Sequence, residues 1–534
     1  MKKSLIACAC LLLSFALLLT SCKKDDSPSA LNAKDALNVY LGPAPSTLDP
    51  AYAAPTADGS LTLHLFEGLY TMGEDGSPVP ALAASETVDD SGLVFTFTLR
   101  DGLKWSNGEP LSAQDFVYAW NRAAAVPGSR GRSDLFAVIA RDDEGVLQLS
   151  APNEKTLIVT LKEYTPYFKQ LLTLPPFCPV YEKMVQYDAE HWSLNADACV
   201  GNGAYKLSEV LEDSHISVVK NENYYAADNV KIKQINFVTM TENTAYEEFL
   251  GGGLLFADIV PNTKIAEASK REDYYNKASY GTYYLLFNPD TDPFKKAEVR
   301  EALMLAIDRS YIAGEICKGT TRPAGALVPS GVMKTDTAGD YRSRHGEFFD
   351  PVNHEENLAR AKSLLKKAGY SEDGKAFPII TYQYNSGAEH TLIAKAVQHM
   401  WAEIGVTLRL EEADWNAAMQ NAKNGDFQIL RTGWMSDWNE PGAILSTFQT
   451  GNPQNVTGFS SKNFDRFLGD AAAETAPEKR AESFYDAEAE LMKQWIVCPI
   501  FYYSDIYMQS ERLTGVKTTP LEYKSFVNAE IKTK

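Results

Sequence analysis

Apolar and polar positions alternate most cleanly at Phe95-Thr96-Phe97-Thr98-Leu99, which predicts a strand with one buried face. Leu157-Ile158-Val159-Thr160-Leu161, rich in branched residues, predicts a second strand. Helical spacing takes over from Gln114 to Arg122, where Phe116, Val117 and Trp120 share a face. The same spacing joins Ile393, Val397, Met400 and Ile404, and Gly405 stands where a C-terminal glycine would end that helix. Leu358, Ala361, Leu364 and Leu365 repeat the device ahead of Gly369. A strand-like Thr407-Leu408-Arg409-Leu410 follows the Ile393 helix, and strand, helix, strand in that order predicts an α/β lobe. No internal repeat and no Pro/Gly/Ser-rich linker divides the chain after Leu37, so its domains are expected to be joined by several chain crossings.

The first 22 residues follow another pattern. Lys2 and Lys3 precede an almost unbroken apolar run from Leu5 to Leu19, closed by Leu19-Thr20-Ser21-Cys22. About 15 apolar residues fall short of the roughly 20 that span a bilayer. Residues 1–21 therefore read as a secretory signal, and the closing residues resemble a bacterial lipobox in which Cys22 is acylated. Residues 22–36, with Asp25-Asp26 and Ser27-Pro28-Ser29, have the composition of a flexible tether. The expected location is the cell envelope, lipid-anchored, on the periplasmic or extracellular face.

Composition narrows the function classes. The chain has 534 residues, 45% hydrophobic and 23% charged, enough for two or three domains with a sizeable core. A net charge of −19 argues against nucleic acid as partner, because a phosphate backbone needs a basic stripe. Of seven cysteines, Cys178, Cys199, Cys317 and Cys498 lie beyond the signal and tether, and none forms a CxxC motif. Cys178 and Cys199 are the nearest pair; a disulfide and buried free thiols both fit.

Catalytic patterns are scarce. Gly369 to Ala376 nearly matches a phosphate-binding loop, but Ala376 replaces the hydroxyl that would hold magnesium, and the segment follows a helix instead of a strand. It reads as a helix end and turn. The seven histidines form no HExxH arrangement, and no GxSxG elbow occurs. Carboxylate pairs such as Glu411-Glu412 are inevitable among 70 acidic residues.

Three segments are more specific: Lys104-Trp105-Ser106-Asn107-Gly108-Glu109-Pro110 with Leu65-Phe66-Glu67-Gly68-Leu69 before it, Asn202-Gly203-Ala204-Tyr205, and Gly433-Trp434-Met435-Ser436-Asp437-Trp438-Asn439-Glu440-Pro441. In their order and spacing, from about Leu37 to the C-terminus, they resemble the oligopeptide-binding proteins of the extracytoplasmic solute-binding family that serve ABC importers. The resemblance implies an α/β fold of the two-lobed, type II periplasmic-binding-protein kind with an additional inserted domain. Residues 37–65, 191–286 and 501–534 would form the first lobe, 66–190 the inserted domain and 287–500 the second lobe. A peptide would lie extended between the lobes, its backbone paired with protein strands.

The resemblance also implies the site. Asp437 stands where the family supplies a carboxylate to the peptide's α-ammonium, and Arg431 with its arginine for the C-terminal carboxylate. Trp434 and Trp415 match aromatic pocket walls, with core packing an open alternative for Trp415. Gly433 and Met435 would offer backbone pairing, Tyr502 and Tyr503 belong to a tyrosine-rich stretch near the cleft, and His390 matches a histidine that meets longer peptides. This sequence departs from the family at Ala422, where enteric relatives carry a second arginine that neighbouring Lys423 can replace. It departs also at Ala54, at Met435 in place of a cysteine, and around Arg132, which lacks a tyrosine. The partners implied are short peptides and separate permease and ATPase chains, with a monomer reaching the membrane through the lipid on Cys22; no metal or cofactor is implied. The same fold binding a metal chelate, opine or sugar, and a surface adhesin or peptide sensor, are the rival readings.

Overall fold

The computed structural model describes residues 36–53, 57–127, 131–333, 339–370 and 375–532. The readings at residues 1–21, Cys22, the tether up to residue 35 and Ala54 lie outside the described residues.

The chain starts in strand β1 (Ala36–Tyr40) and helix α1 (Ala57–Leu65). Strands β2 (Ala83–Val88) and β3 (Val94–Leu99) follow, then α2 (Ala113–Ala124), β4 (Leu149–Asn153) and β5 (Thr156–Thr160). These four strands make a separate sheet in the order β2-β3-β5-β4. The alternation in β3 buries Phe95, Phe97 and Leu99. Helix α2 begins with Ser112 and Asp115 in a reciprocal capping box and buries Phe116 and Trp120, whose indole N–H reaches the Phe177 carbonyl at 2.9 Å.

The principal sheet has eleven strands. It takes in β6 (Tyr205–Leu211), β7 (His215–Lys220), β8 (Gln234–Val238), β9 (Phe256–Ala257) and β10 (Tyr274–Phe287). After α3 (Ala297–Leu305) and α4 (His354–Lys367) come β11 (Ile380–Asn385), α5 (Ala388–Ala402), β12 (Leu408–Ala413), α6 (Trp415–Lys423) and β13 (Ile429–Met435). Helices α7 (Lys462–Ala473) and α8 (Pro477–Met492) precede the last long strand, β14 (Val497–Gln509). The order is β12-β11-β13-β10-β14-β9-β1-β8-β7-β6, with Arg322–Pro323 paired to β14 off this path. Helix α5 connects parallel β11 and β12, as the strand-helix-strand pattern predicts.

Two strands of 14 and 13 residues, β10 and β14, run antiparallel through the middle of this sheet. At one end β14 pairs with β9; at the other β10 pairs with β13. Their mutual register shifts between Ala278 and Thr282. The first five residues of β10 are partly exposed and the last nine buried, so the strand passes from an open stretch into a core. That core holds Tyr283, Leu285 and Phe287 of β10 with Val299, Leu303, Ile393, Val397 and Trp401 from the flanking helices. A larger core gathers Leu37, Phe66, Phe97, Trp105 and Trp120, and also Phe464 and Phe484 of α7 and α8. The molecule is thus two-lobed, joined through shared strands, and no flexible linker is needed.

Helix ends follow the glycines: Gly369 and Gly405 take φ of +92° and +78° directly after α4 and α5, a conformation that costs other residues energy. Ile404 falls just beyond α5, in the closing turn. Gly369 of the phosphate-loop-like segment therefore marks a helix end; residues 371–374 are not among those described. All four described cysteines are buried free thiols, so Cys178 and Cys199 are not bridged. Burial pushes the Cys199 thiol up to about 12, an inert group. Among the described residues no helix is long and apolar enough to cross a membrane, and no group of His, Cys, Asp and Glu is arranged to hold a metal.

Candidate functional site

Strand β13 and the turn after it carry two oppositely charged groups, both buried. Arg431 is 8% exposed and Asp437 7%. Burial without a partner would cost each several kcal/mol, so their partners decide what the site can do.

The Asp437 turn is braced from several sides. Glu440 is held by Arg480 through two bonds, Nε to Oε1 at 2.6 Å and Nη2 to Oε2 at 2.7 Å. The Asn439 side-chain oxygen accepts from the Met333 N–H at 2.7 Å, and the Asn439 N–H donates to Gln170 at 2.7 Å. Trp438 stacks on Tyr167, ring centroids 4.4 Å apart and planes within 7°. Three consecutive residues, 437 to 439, thus meet the segment from 132 to 170. A cavity of about 710 Å³ opens beside them, lined by Asp437, Trp434, Trp438, Tyr167 and Lys423 among others. The indole N–H groups of Trp434 and Trp438 are buried and have no hydrogen-bond partner among the described residues.

Asp437 already holds a cation of its own chain. The Arg132 guanidinium donates Nη1 to Oδ1 at 2.8 Å and Nη2 to Oδ2 at 2.7 Å, the bidentate geometry that makes such pairs strong.

Arg431 is in the opposite situation. Its Nη1 donates to the Asn385 side-chain oxygen at 2.8 Å and its Nη2 to the Tyr503 hydroxyl at 3.2 Å. The guanidinium lies 4.4 Å from the Tyr283 ring centroid, and Nε has no partner among the described residues. No carboxylate bonds to it among the described residues. His390 lies against the Tyr283 ring; burial and then the Arg431 charge push its imidazole down to about 4, so it is neutral at pH 7. Burial raises the Glu389 carboxyl, while Arg431 pulls it back. This end of the site is a buried cation beside a neutral imidazole, with no carboxylate bonded to it among the described residues.

Between the two charges, β13 pairs with β10 from Phe287↔Ile429 to Gly281↔Met435. On its other side β11 pairs only at Tyr382↔Ile429 and Gln383↔Leu430, then continues with β12 alone. From Arg431 to Met435 that edge of β13 carries no strand among the described residues. An unfilled ladder edge is a template for an added strand. Gly433 lies in the middle of it, and a Cβ there would come within 2.2 Å of the Tyr503 hydroxyl, which would have to move aside.

The predicted residues therefore separate. Asp437 and Trp434 share the cavity; Arg431, Tyr503, Gly433 and His390 cluster at the other end; Met435 closes the strand beside Gly281. Tyr502 points elsewhere, its hydroxyl donating to Glu347 at 2.8 and 3.0 Å, because neighbours on a strand face opposite ways. Trp415 opens helix α6 at 40% exposure, which rules out core packing, and the cavity is lined from the far end of that helix by Lys423. Ala422 beside it is buried. Sequence reasoning missed Arg132 as the partner of Asp437, although its position had stood out as a departure. It also missed Tyr283, Asn385, Tyr167 and Gln170, for which strand register and lobe packing are the only signals.

Comparison with known proteins agrees with this architecture. The family model described as bacterial extracellular solute-binding proteins, family 5 middle, matches residues 77–455. The oligopeptide-binding protein OppA of Bacillus subtilis is 32% identical, with 95% of each chain covered. The dipeptide-binding protein DppE of the same organism is 30% identical, covering 90% of this chain and 89% of its own. Among solved structures, the Escherichia coli murein tripeptide-binding protein MppA superposes with a TM-score of 0.78 at 28% identity, over 95% of this chain and all of its own.

Proposed function

The chain belongs to the bacterial extracellular solute-binding proteins of family 5, and on that premise we propose that it captures short peptides for an ABC importer. The observation that carries the reading is the free edge of β13 between a buried carboxylate and a buried guanidinium. A peptide's invariant features are a backbone that pairs with a strand, an ammonium at one end and a carboxylate at the other. All three have complements here.

Arg431 and Asp437 are six positions apart, at most about 20 Å at ~3.4 Å per residue. An extended peptide of a few residues fits within that span. Unpartnered indole N–H groups and a roomy cavity beside Asp437 accept varied side chains, with water filling what they leave. The protein acts by binding; nothing in the arrangement asks for a bond to be broken.

The remaining assignments belong to the same proposal. Residues 1–21 direct export, Cys22 carries the lipid, and 22–36 tether a monomer at the envelope surface. Lobe and insert boundaries follow the divisions given above. Closure around the peptide presents the complex to separate permease and ATPase chains. The names of the relatives, which bind oligopeptides, dipeptides and murein tripeptide, support this reading.

Native mass spectrometry with a mixed pool of two- to seven-residue peptides tests it. Retention of peptides with free termini is the expected result. Absence of any bound peptide, or retention of a non-peptide mass through purification, would overturn it.

A further inference from the structure

Asp437 is the group that a peptide's ammonium would seek, yet its two oxygens are both engaged by Arg132. A ligand ammonium that approaches this carboxylate meets an arginine of the same chain already bound to it. The same guanidinium has a second acceptor. Its Nε donates to Asp134 Oδ1 and its Nη2 to Asp134 Oδ2, each at 3.2 Å. The two acceptors are unequal: the Asp437 side chain is 9% exposed and that of Asp134 55%, with Arg132 at 22% between them.

We propose that Arg132 is a specificity-determining residue, exchanging its bidentate hold on buried Asp437 for exposed Asp134 as a ligand ammonium arrives. The inference rests on the peptide reading above. Charge is conserved through the exchange. In the empty site Asp437 is neutralised by Arg132; in the occupied site it is neutralised by the ligand, and Arg132 rests on Asp134. A buried carboxylate is never left without a cation, a state that would be strongly unfavourable. No bond is made or broken and no proton need move.

The exchange changes what the site selects. A ligand with a free amine supplies the replacement cation. A ligand with a blocked amine does not, so it must either leave Arg132 in place, where it fills the head of the site, or strand Asp437. Selection for a free N-terminus thus comes from a requirement for exchange as well as from attraction. It also lowers affinity, since part of the ammonium's interaction is offset by the lost arginine pair, and weaker holding favours release to a downstream acceptor.

Isothermal titration of one tripeptide, free and N-acetylated, against the wild type, Arg132→Ala and Asp134→Ala tests the exchange. Arg132→Ala is expected to bind the free peptide tighter by about tenfold or more, the equivalent of one charge-assisted interaction. Its binding of the acetylated peptide should not improve. Asp134→Ala, an exposed substitution that leaves the core untouched, is expected to weaken the free peptide several-fold, because the displaced arginine loses its resting place. A purely structural role for Arg132 would move both peptides together, and that result overturns the exchange. Tighter acetylated binding, or free-peptide binding unchanged in both variants, overturns it as well while leaving the peptide reading standing. No binding of the free peptide by the wild type or by Arg132→Ala overturns the peptide reading, and the exchange with it.

Discussion

The two charged groups on β13 and the turn after it are equally buried and differently equipped. Asp437 has a full counter-ion from its own chain, whereas among the described residues Arg431 bonds to an amide and a hydroxyl and lies on an aromatic face. Arginine tolerates the second condition because its charge is delocalised and weakly hydrated; a carboxylate needs donors on both oxygens. The difference assigns separate work to the two ends. On the proposed reading, the Arg431 end would receive the ligand's carboxylate directly, while the Asp437 end already carries a cation of its own chain.

The largest effect is expected at Arg431. Arg431→Ala is expected to weaken peptides with a free carboxylate by more than about 100-fold, because the ligand's charge would enter a buried site unpaired. C-terminally amidated peptides, already poor ligands, should lose little. Titration of matched free and amidated peptides checks this, and equal losses would mean that Arg431 does not read the carboxylate.

A smaller effect is expected at Gly433. A methyl group there collides with the Tyr503 hydroxyl, so Gly433→Ala must move the tyrosine and deprive Arg431 of one of its two polar partners. Affinity for free-carboxylate peptides should fall about tenfold, by the loss of one charge-assisted bond, with folding intact by circular dichroism. An unchanged affinity would place Tyr503 outside the site.

His390 gives the smallest and most local readout. Its imidazole, pushed down to about 4 chiefly by burial and then by Arg431, is neutral where the unfolded chain's histidine, near 6.5, begins to protonate. The folded state therefore binds fewer protons between pH 6.5 and 4, and acidification through that window destabilises it. His390→Gln should flatten this part of a urea-midpoint against pH curve. In Arg431→Gln the His390 midpoint, followed by NMR, should rise only by a fraction of a unit, since burial remains. A full return to 6.5 would make Arg431 the dominant cause.

Much of the fold was legible from local pattern. Phe95 to Leu99 alternates because one face of β3 packs on a core, and Gly369 and Gly405 end helices because left-handed backbone suits them. These signals lie within a few residues of each other. The site was legible where one motif carries it, from Gly433 to Pro441. It was illegible where distant segments meet. Asn385 and Tyr283 reach Arg431 only through the register of β11, β13 and β10. Arg132 meets Asp437 across 305 residues. Tyr502 and Tyr503 look equivalent in sequence, but strand pleating sends one to Glu347 and the other to Arg431. Trp415 carries an aromatic signal that fits a wall or a core, and only its exposure decides against the core.

A crystal structure of the protein with a bound tripeptide is the decisive measurement. The ligand is expected to be extended and hydrogen-bonded along β13 between Arg431 and Met435, with its carboxylate on Arg431 and its ammonium on Asp437. A ligand that leaves this edge of β13 unpaired, or that runs in the opposite direction, would contradict this placement.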